Sequence, residues 1–228
     1  MARRVLVDGQ IADKAGTSVG GDAELRVAEP EHPWVGRGGM KLAHALEQFS
    51  VDVHGRVCAD IGASTGGFTD VLLENGAAKV YAIDVGYGQL DASLRNDPRV
   101  VVREKVNARY LEPHDFEEPV DLASIDVSFI SLKLILPAVA KFLRGELVAL
   151  IKPQFEVGKG EVGKGGIVRD DAKRAAAVDS VVQFAKEIGF DVSGVIESPV
   201  RGAEGNVEYL MHAGIRANPP ASSRDERR

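Results

Sequence analysis

Asp60-Ile-Gly-Ala-Ser-Thr-Gly-Gly-Phe-Thr-Asp70, entered from Val57, Cys58 and Ala59, holds a strand, a tight turn and the start of a helix. An apolar run that ends in one acid reads as a buried strand of a parallel sheet. Gly62, Gly66 and Gly67 supply the turn, and Phe68, Val71 and Leu72 restart at helical spacing. Strand, glycine turn and helix N-terminus make the nucleotide-binding corner of doubly wound α/β folds. Ser64 stands where the dinucleotide fingerprint wants its second glycine, the one that lets the backbone approach a pyrophosphate, so NAD is disfavoured. Asp60 argues the same way, because a carboxylate at the strand end suits a cationic ligand. S-adenosylmethionine carries an ammonium and a sulfonium and no phosphate. The reading therefore places Asp60, Gly62, Ser64, Gly66, Gly67 and Phe68 around that cofactor, and it calls for no metal.

The next strand, Lys79-Val-Tyr-Ala-Ile-Asp84, ends in an acid about 20 residues after the turn, the usual position of a carboxylate gripping both ribose hydroxyls. Asp84 thus points to an adenosine, a group shared by NAD and S-adenosylmethionine.

The 228 residues are 44% apolar and 27% charged with a formal net charge of −6, enough chain for one large α/β domain and a small appendage. The single cysteine, Cys58, lies in a predicted buried strand, which fits a reducing cytoplasm and no disulfide. No signal peptide is recognisable and no apolar run approaches 18 residues, so the expectation is a cytoplasmic protein without membrane contact.

Residues 1–30 differ from the rest. Arg4–Gly9 and Ala23–Ala28 are short strand patterns joined by turns, a piece of a small β-containing domain. A linker at 31–36 leads to the main domain at 37–216. There a helix carries Leu42, Leu46 and Phe49, and after the two strands above come a short helix before Pro98 and a strand at Val100–Val102. Asp121–Asp126 is the next strand, Leu132–Leu143 the next helix, and Glu146–Pro153 a strand ending at Lys152. A glycine-rich loop with Lys159, Lys164 and Arg169 precedes a long amphipathic helix from Asp171 to Ile188. Phe190–Ile196 and Val207–Ile215 are too close for a crossover helix, so they should pair antiparallel. Residues 217–228 have the composition of a disordered tail.

Ligands of open α/β sheets bind beyond the carboxyl ends of the strands. Asp126 and Lys152 occupy that edge on the substrate half, Glu208 lies near the start of the antiparallel last strand, and Lys41 precedes the first strand of the main sheet. Methyl transfer to a ribose oxygen needs a stabilised alkoxide, which a lysine supports by charge or, when neutral, by taking the proton.

These residues resemble the TlyA (hemolysin A-like) family, relatives of the FtsJ-type ribosomal RNA 2′-O-methyltransferases. The resemblance rests on Arg37-Gly-Gly-Met-Lys41, the Asp60–Thr69 stretch, Asp84-Val-Gly-Tyr-Gly-Gln-Leu90, Asp126-Val-Ser-Phe-Ile-Ser-Leu132, Lys152-Pro-Gln-Phe-Glu-Val-Gly-Lys159 and Gly205-Asn-Val-Glu-Tyr209. It implies a Rossmann-like methyltransferase fold, a mostly parallel seven-stranded sheet with a terminal antiparallel hairpin. It also implies a catalytic tetrad of Lys41, Asp126, Lys152 and Glu208, with Asp126 near the cofactor as well and Asn107 near the adenine. The implied reaction is methylation of cytidine ribose in ribosomal RNA of either subunit. The family opens with an RNA-binding domain of the ribosomal-protein-S-four type, and residues 1–30 resemble only its strand half, a truncated domain. His32-Pro33-Trp34-Val35 also lacks the arginine the family tends to carry two residues before Trp-Val. Two other readings are a ribosome-assembly factor that keeps the fold with little turnover, favoured by the short front end, and an NAD-linked oxidoreductase, disfavoured by Ser64 and the hairpin. Direct membrane lysis, the family's other label, lacks a free insertion helix, since the one amphipathic helix is needed to cover the sheet.

Overall fold

The computed structural model describes residues 5–12, 16, 18–27, 32–158, 160–163 and 165–216. The expected tail at 217–228, and Lys159 and Lys164 of the basic loop, lie outside the described residues. The chain divides into two units, Met1–Pro33 and Trp34–Arg228. In the first, β1 (Val5–Val7), β2 (Gln10–Ile11) and β3 (Leu25–Val27) form an antiparallel sheet in the order β2-β1-β3. Asp8 and Gly9 both adopt positive φ, the conformation a two-residue hairpin turn demands.

In the second unit α1 (Gly38–Phe49) precedes β4 (Val57–Ile61), α2 (Gly67–Glu74), β5 (Lys79–Asp84), α3 (Ala92–Arg95) and β6 (Val100–Glu104). Then follow β7 (Val120–Ile125), α4 (Leu136–Phe142), β8 (Leu143–Ile151), α5 (Pro153–Glu156), α6 (Asp171–Glu187), β9 (Phe190–Glu197) and β10 (Tyr209–Ile215). The seven strands run β6-β5-β4-β7-β8-β10-β9, with β10 antiparallel to both of its neighbours. The strand periodicity of two divides the core between the sheet's faces. Cys58, Val80 and Ala82 pack with Leu42, Leu46, Val71 and Leu72 of α1 and α2, while Ala59, Ile61, Tyr81 and Ile83 pack with Leu136, Val139, Val181 and Ala185 of α4 and α6.

Three expectations are amended. The helix read from Leu132 to Leu143 is a 3₁₀ turn at Leu132–Leu134 followed by α4, because Pro137 has no N–H to give and is tolerated only in a first turn. The chain enters β8 directly at Leu143, earlier than the expected Glu146. Asp126, Lys152 and Glu208 lie one residue outside their strands, Asp126 just after β7, Lys152 as the extended residue before the Pro153 helix and Glu208 just before β10.

The sheet order reverses between β4 and β7, which makes their carboxyl ends the switch point. Gly62 leaves β4 there with φ +87°, and a Cβ on it would lie 2.2 Å from the Asp126 carbonyl oxygen. Gly62→Ala combines a disfavoured backbone conformation with a backbone clash, so it should cost roughly 2–4 kcal/mol and lower the melting temperature by about 5–15 °C. Calorimetry of the variant checks this, and an unchanged melting temperature would show that the β4–β7 junction yields at no cost.

Candidate active site

Two cavities of about 400 Å³ each open along the carboxyl edge of the sheet. This is within the size range of small-molecule sites. The first lies over β4 and β5 and is lined by Gly62, Ser64, Asp84, Gln89, Asn107 and Asp126, with Ile61, Ile83 and Ile135 as its apolar floor. Asp84 accepts hydrogen bonds from the backbone N–H of Ser64 (2.8 Å) and of Gly86 (2.6 Å), one on each carboxylate oxygen. Those bonds orient the carboxylate and leave each oxygen a lone pair for a ribose diol. Asn107 caps a 3₁₀ turn by accepting from the Arg109 N–H at 3.1 Å.

Four of the residues expected at the cofactor do not reach this cavity. Asp60 is fully buried; it accepts from Thr69 Oγ1 at 2.7 Å and from Ser124 Oγ at 3.2 Å, so its partners are protein hydroxyls. Gly66, Gly67 and Phe68 are buried too. They serve packing: a Cβ on Gly67 would stand 3.0 Å from the Gly39 nitrogen and 3.2 Å from the Gly36 oxygen. The Gly36–Gly39 backbone thus closes over the first turn of α2. That packing crowds the helix N-terminus on which a diphosphate would sit. Val35 and Trp34 hold this closure by donating to Asp70 (2.8 Å) and Glu74 (2.7 Å) of α2.

The second cavity lies over β7, β8 and the loop before β10, lined by Arg37, Lys41, Asp126, Lys152, Arg201 and Glu208 among others. The four residues expected to act together do meet here, as two ion pairs. Lys41 Nζ reaches Glu208 Oε2 at 2.6 Å with both side chains nearly buried, and Lys152 Nζ reaches Asp126 Oδ1 at 2.5 Å. Lys152 also donates to Ser128 Oγ at 2.9 Å. Asp126, Ser128 and Phe129 belong to both cavities and form the partition between them.

Sequence reasoning passed over several residues that build the site. Glu156 accepts from Ser131 Oγ (2.6 Å) and the Leu132 N–H (2.8 Å), and burial pushes its carboxyl above the usual range. Buried Asn206 accepts from the Val168 N–H (3.0 Å) and donates to the Gly166 carbonyl (2.9 Å), tying the glycine-rich loop beside Glu208. Ser128, Ser131 and Glu156 stand inside the quoted Asp126–Leu132 and Lys152–Lys159 stretches, so a signal existed without a role attached to it. Among the described residues no group of His, Cys, Asp and Glu is placed to hold a metal ion.

Strand order and the terminal antiparallel hairpin define a Rossmann-like methyltransferase fold. The chain belongs to the FtsJ-like methyltransferase family, whose profile matches residues 34–215. It is 52% identical over 213 residues to the 16S/23S rRNA (cytidine-2′-O)-methyltransferase TlyA of Mycobacterium tuberculosis, spanning 92% of this chain and 80% of that protein. Hemolysin A of Brachyspira hyodysenteriae is 46% identical over 182 residues, 78% of this chain and 76% of that one. A solved structure from Streptococcus thermophilus superposes with a TM-score of 0.83 at 47% identity and covers 96% of this chain and 81% of that chain.

Two outcomes follow from this geometry. Burial, opposed by the Thr69 hydroxyl and assisted by the Asp126 charge, pushes the Asp60 carboxyl up from 3.8 to about 7. Between those values the folded protein holds a proton that the unfolded chain has released, so this group's contribution to stability falls as pH rises through the window. Asp60→Asn should remove that slope. Melting temperatures of parent and variant from pH 4 to about pH 8 measure it, and parallel curves would mean that Asp60 stays ionised. Asp84→Ala should weaken S-adenosylhomocysteine binding by about 1–3 kcal/mol, since it strands the ligand's hydroxyls and unhooks Ser64 and Gly86. Titration calorimetry with a folded variant decides it, and undiminished affinity would move the ribose elsewhere.

Proposed function

We propose that this chain methylates the 2′-hydroxyl of a cytidine in ribosomal RNA, with ribosomal subunits as its partners and the cytoplasm as its place of work. The observation that carries the reading is the meeting of the Lys41–Glu208 and Lys152–Asp126 pairs in a cavity that shares a wall with the nucleoside cavity. The names borne by relatives of about half-identical sequence support the substrate class.

Asp84 would hold the cofactor's ribose, Asn107 its adenine, and Gly62, Ser64 and Asp126 the rest of the nucleoside cavity. S-adenosylmethionine, when bound, supplies a methyl group made electrophilic by its sulfonium. Lys152 faces the target ribose from the other side of the partition. Its Nζ stabilises the developing alkoxide by charge or, when neutral, takes the hydroxyl proton. Asp126 anchors that amine. Lys41 and Glu208, a buried pair whose separation would leave an uncompensated charge costing about 3–5 kcal/mol, fix the cavity's far wall. The rim cations Arg37 and Arg201 are available to the RNA backbone. The strands β1–β3 would form part of a small RNA-binding domain, with the methyltransferase domain following a short linker. The hemolysin name of one relative finds no separate support in this fold. No described helix is long and apolar enough to cross a membrane, and α6 already buries Val181 and Ala185 against the sheet.

Losing a positioned acid–base group typically slows a reaction about 10²–10⁴-fold, and Lys152→Ala should do so here with cofactor affinity nearly unchanged. Lys152→Arg should restore little, because a guanidinium differs in shape and accepts no proton near neutral pH. Single-turnover methylation of isolated small and large subunits, with the modified ribose mapped, tests the reading. A parental rate in the alanine variant removes Lys152 from the chemistry, and a parental rate in arginine alone leaves it only its charge.

A further inference from the structure

The two segments that leave β7 and β8 are cross-linked along their whole length. At one end Lys152 Nζ pairs with Asp126 Oδ1 (2.5 Å) and donates to Ser128 Oγ (2.9 Å). In the middle the Phe129 and Phe155 rings pack at 5.2 Å between centroids. At the other end Ser131 Oγ and the Leu132 N–H donate to the two oxygens of Glu156. The result is a clasp between residues 126–132 and residues 152–156, and its inner face is the partition between the two cavities.

Within the partition the three residues differ in what they offer. Asp126 is committed to its ion pair, and Phe129 holds a left-handed backbone (φ +63°) and is 92% exposed. Ser128 alone contributes a hydroxyl, and that hydroxyl accepts from Lys152 while its own hydrogen goes to no acceptor among the described residues. Lys152 carries three N–H donors on a flexible stem. An ammonium held by one carboxylate is held as a point charge and pivots about that contact. A hydrogen bond to a second group two residues along the same segment fixes one N–H and so restricts that pivot.

We propose that Ser128 is a positioning residue for methyl transfer: it acts through Lys152, as the second fixed point that aims the amine at the substrate oxygen, and the Glu156 bonds keep the segment carrying it in place. The proposal rests on the ribose methylation argued above. A hydrogen bond to a charged group is lost in Ser128→Ala, so the single-turnover rate on ribosomal subunits should fall by about 10- to 100-fold. Half-saturation by RNA and the affinity for S-adenosylhomocysteine should stay within about twofold of the parent. Ser128→Thr, which keeps the hydroxyl, should recover most of the rate. In a Lys152→Ala background the Ser128→Ala change should cost nothing further, the signature of a residue working through its neighbour.

A purely architectural Ser128 would behave otherwise: its loss would weaken S-adenosylhomocysteine binding, because Ser128 also lines the nucleoside cavity, and would add to Lys152→Ala. Either result overturns the proposal, as does a parental rate in Ser128→Ala. An activity-independent measurement separates this inference from the function it rests on. With nitrogen-15-labelled lysine, hydrogen exchange at the Lys152 ammonium should accelerate in Ser128→Ala and stay slow in Ser128→Thr. If the parent methylates no ribosomal RNA, the proposed function fails, and the exchange experiment still decides whether Ser128 holds Lys152.

Discussion

One carboxylate without access to water joins the two halves of this site. Asp60 stands next to last in β4 and takes a hydrogen bond from Thr69 on α2 and another from Ser124 on β7. The first bond fixes the helix that follows the glycine turn, and the second fixes the neighbouring strand whose end carries Asp126. Gly62 then passes directly beneath the Asp126 carbonyl, an approach open only to a residue without a side chain. Together these contacts set where the nucleoside cavity ends and the charged cavity begins. A buried acid is costly in its ionised form, and its raised pKa is the measure of that cost.

The charged cavity obeys a different rule. Lys41 and Lys152 are both mostly buried, and each is neutralised by its own carboxylate. Such pairs add little stability in their own right, but separating either one would leave a bare charge in a dry place. The outcome is rigidity: two amines held at defined positions before any substrate arrives, which is what electrostatic catalysis asks of a site. The clasp between the β7 and β8 segments extends this order outward, so that the partition is shaped by the same contacts that hold the amine.

The antiparallel end of the sheet is tied to the parallel part by its own polar network. Glu146 on β8 pairs with Arg56, which precedes β4, and with His212 on β10 (2.6 Å), which in turn meets Ser193 on β9. Burial works against the Glu146 charge, yet the Arg56 and His212 bonds prevail and hold its carboxyl below the ordinary value. The His212 ring stacks on Phe49 at the end of α1. The hairpin that brings Glu208 to the active edge is thereby anchored at a distance from the chemistry.

Much of this was legible in the chain because it is local. The β4–α2 corner, the strand ending at Asp84, the strand ending just before Asp126, the antiparallel final pair and the apolar side of α6 follow from periodicity and turn chemistry, which act over a few residues. The convergence of Asp126, Lys152 and Glu208 was legible through positions next to strand ends, at the edge where a parallel sheet binds ligands, whereas Lys41 reaches them from α1. Burial and partnership were not. Asp60 carries the same acidic group as Asp84, and only the packing of α2 and β7 around it decides that it meets two hydroxyls while Asp84 lines an open cavity. Glycines 66 and 67 look like a cofactor cradle until the side chains of Leu90 and Leu94 are seen against the first and the Gly36–Gly39 backbone against the second. Lys41 finds Glu208 across 167 residues, and Ser128 finds Lys152 across the β7–β8 crossover. Spacing along a chain fixes which face or edge a residue occupies, whereas which groups touch, and which are dry, is settled only when distant segments pack.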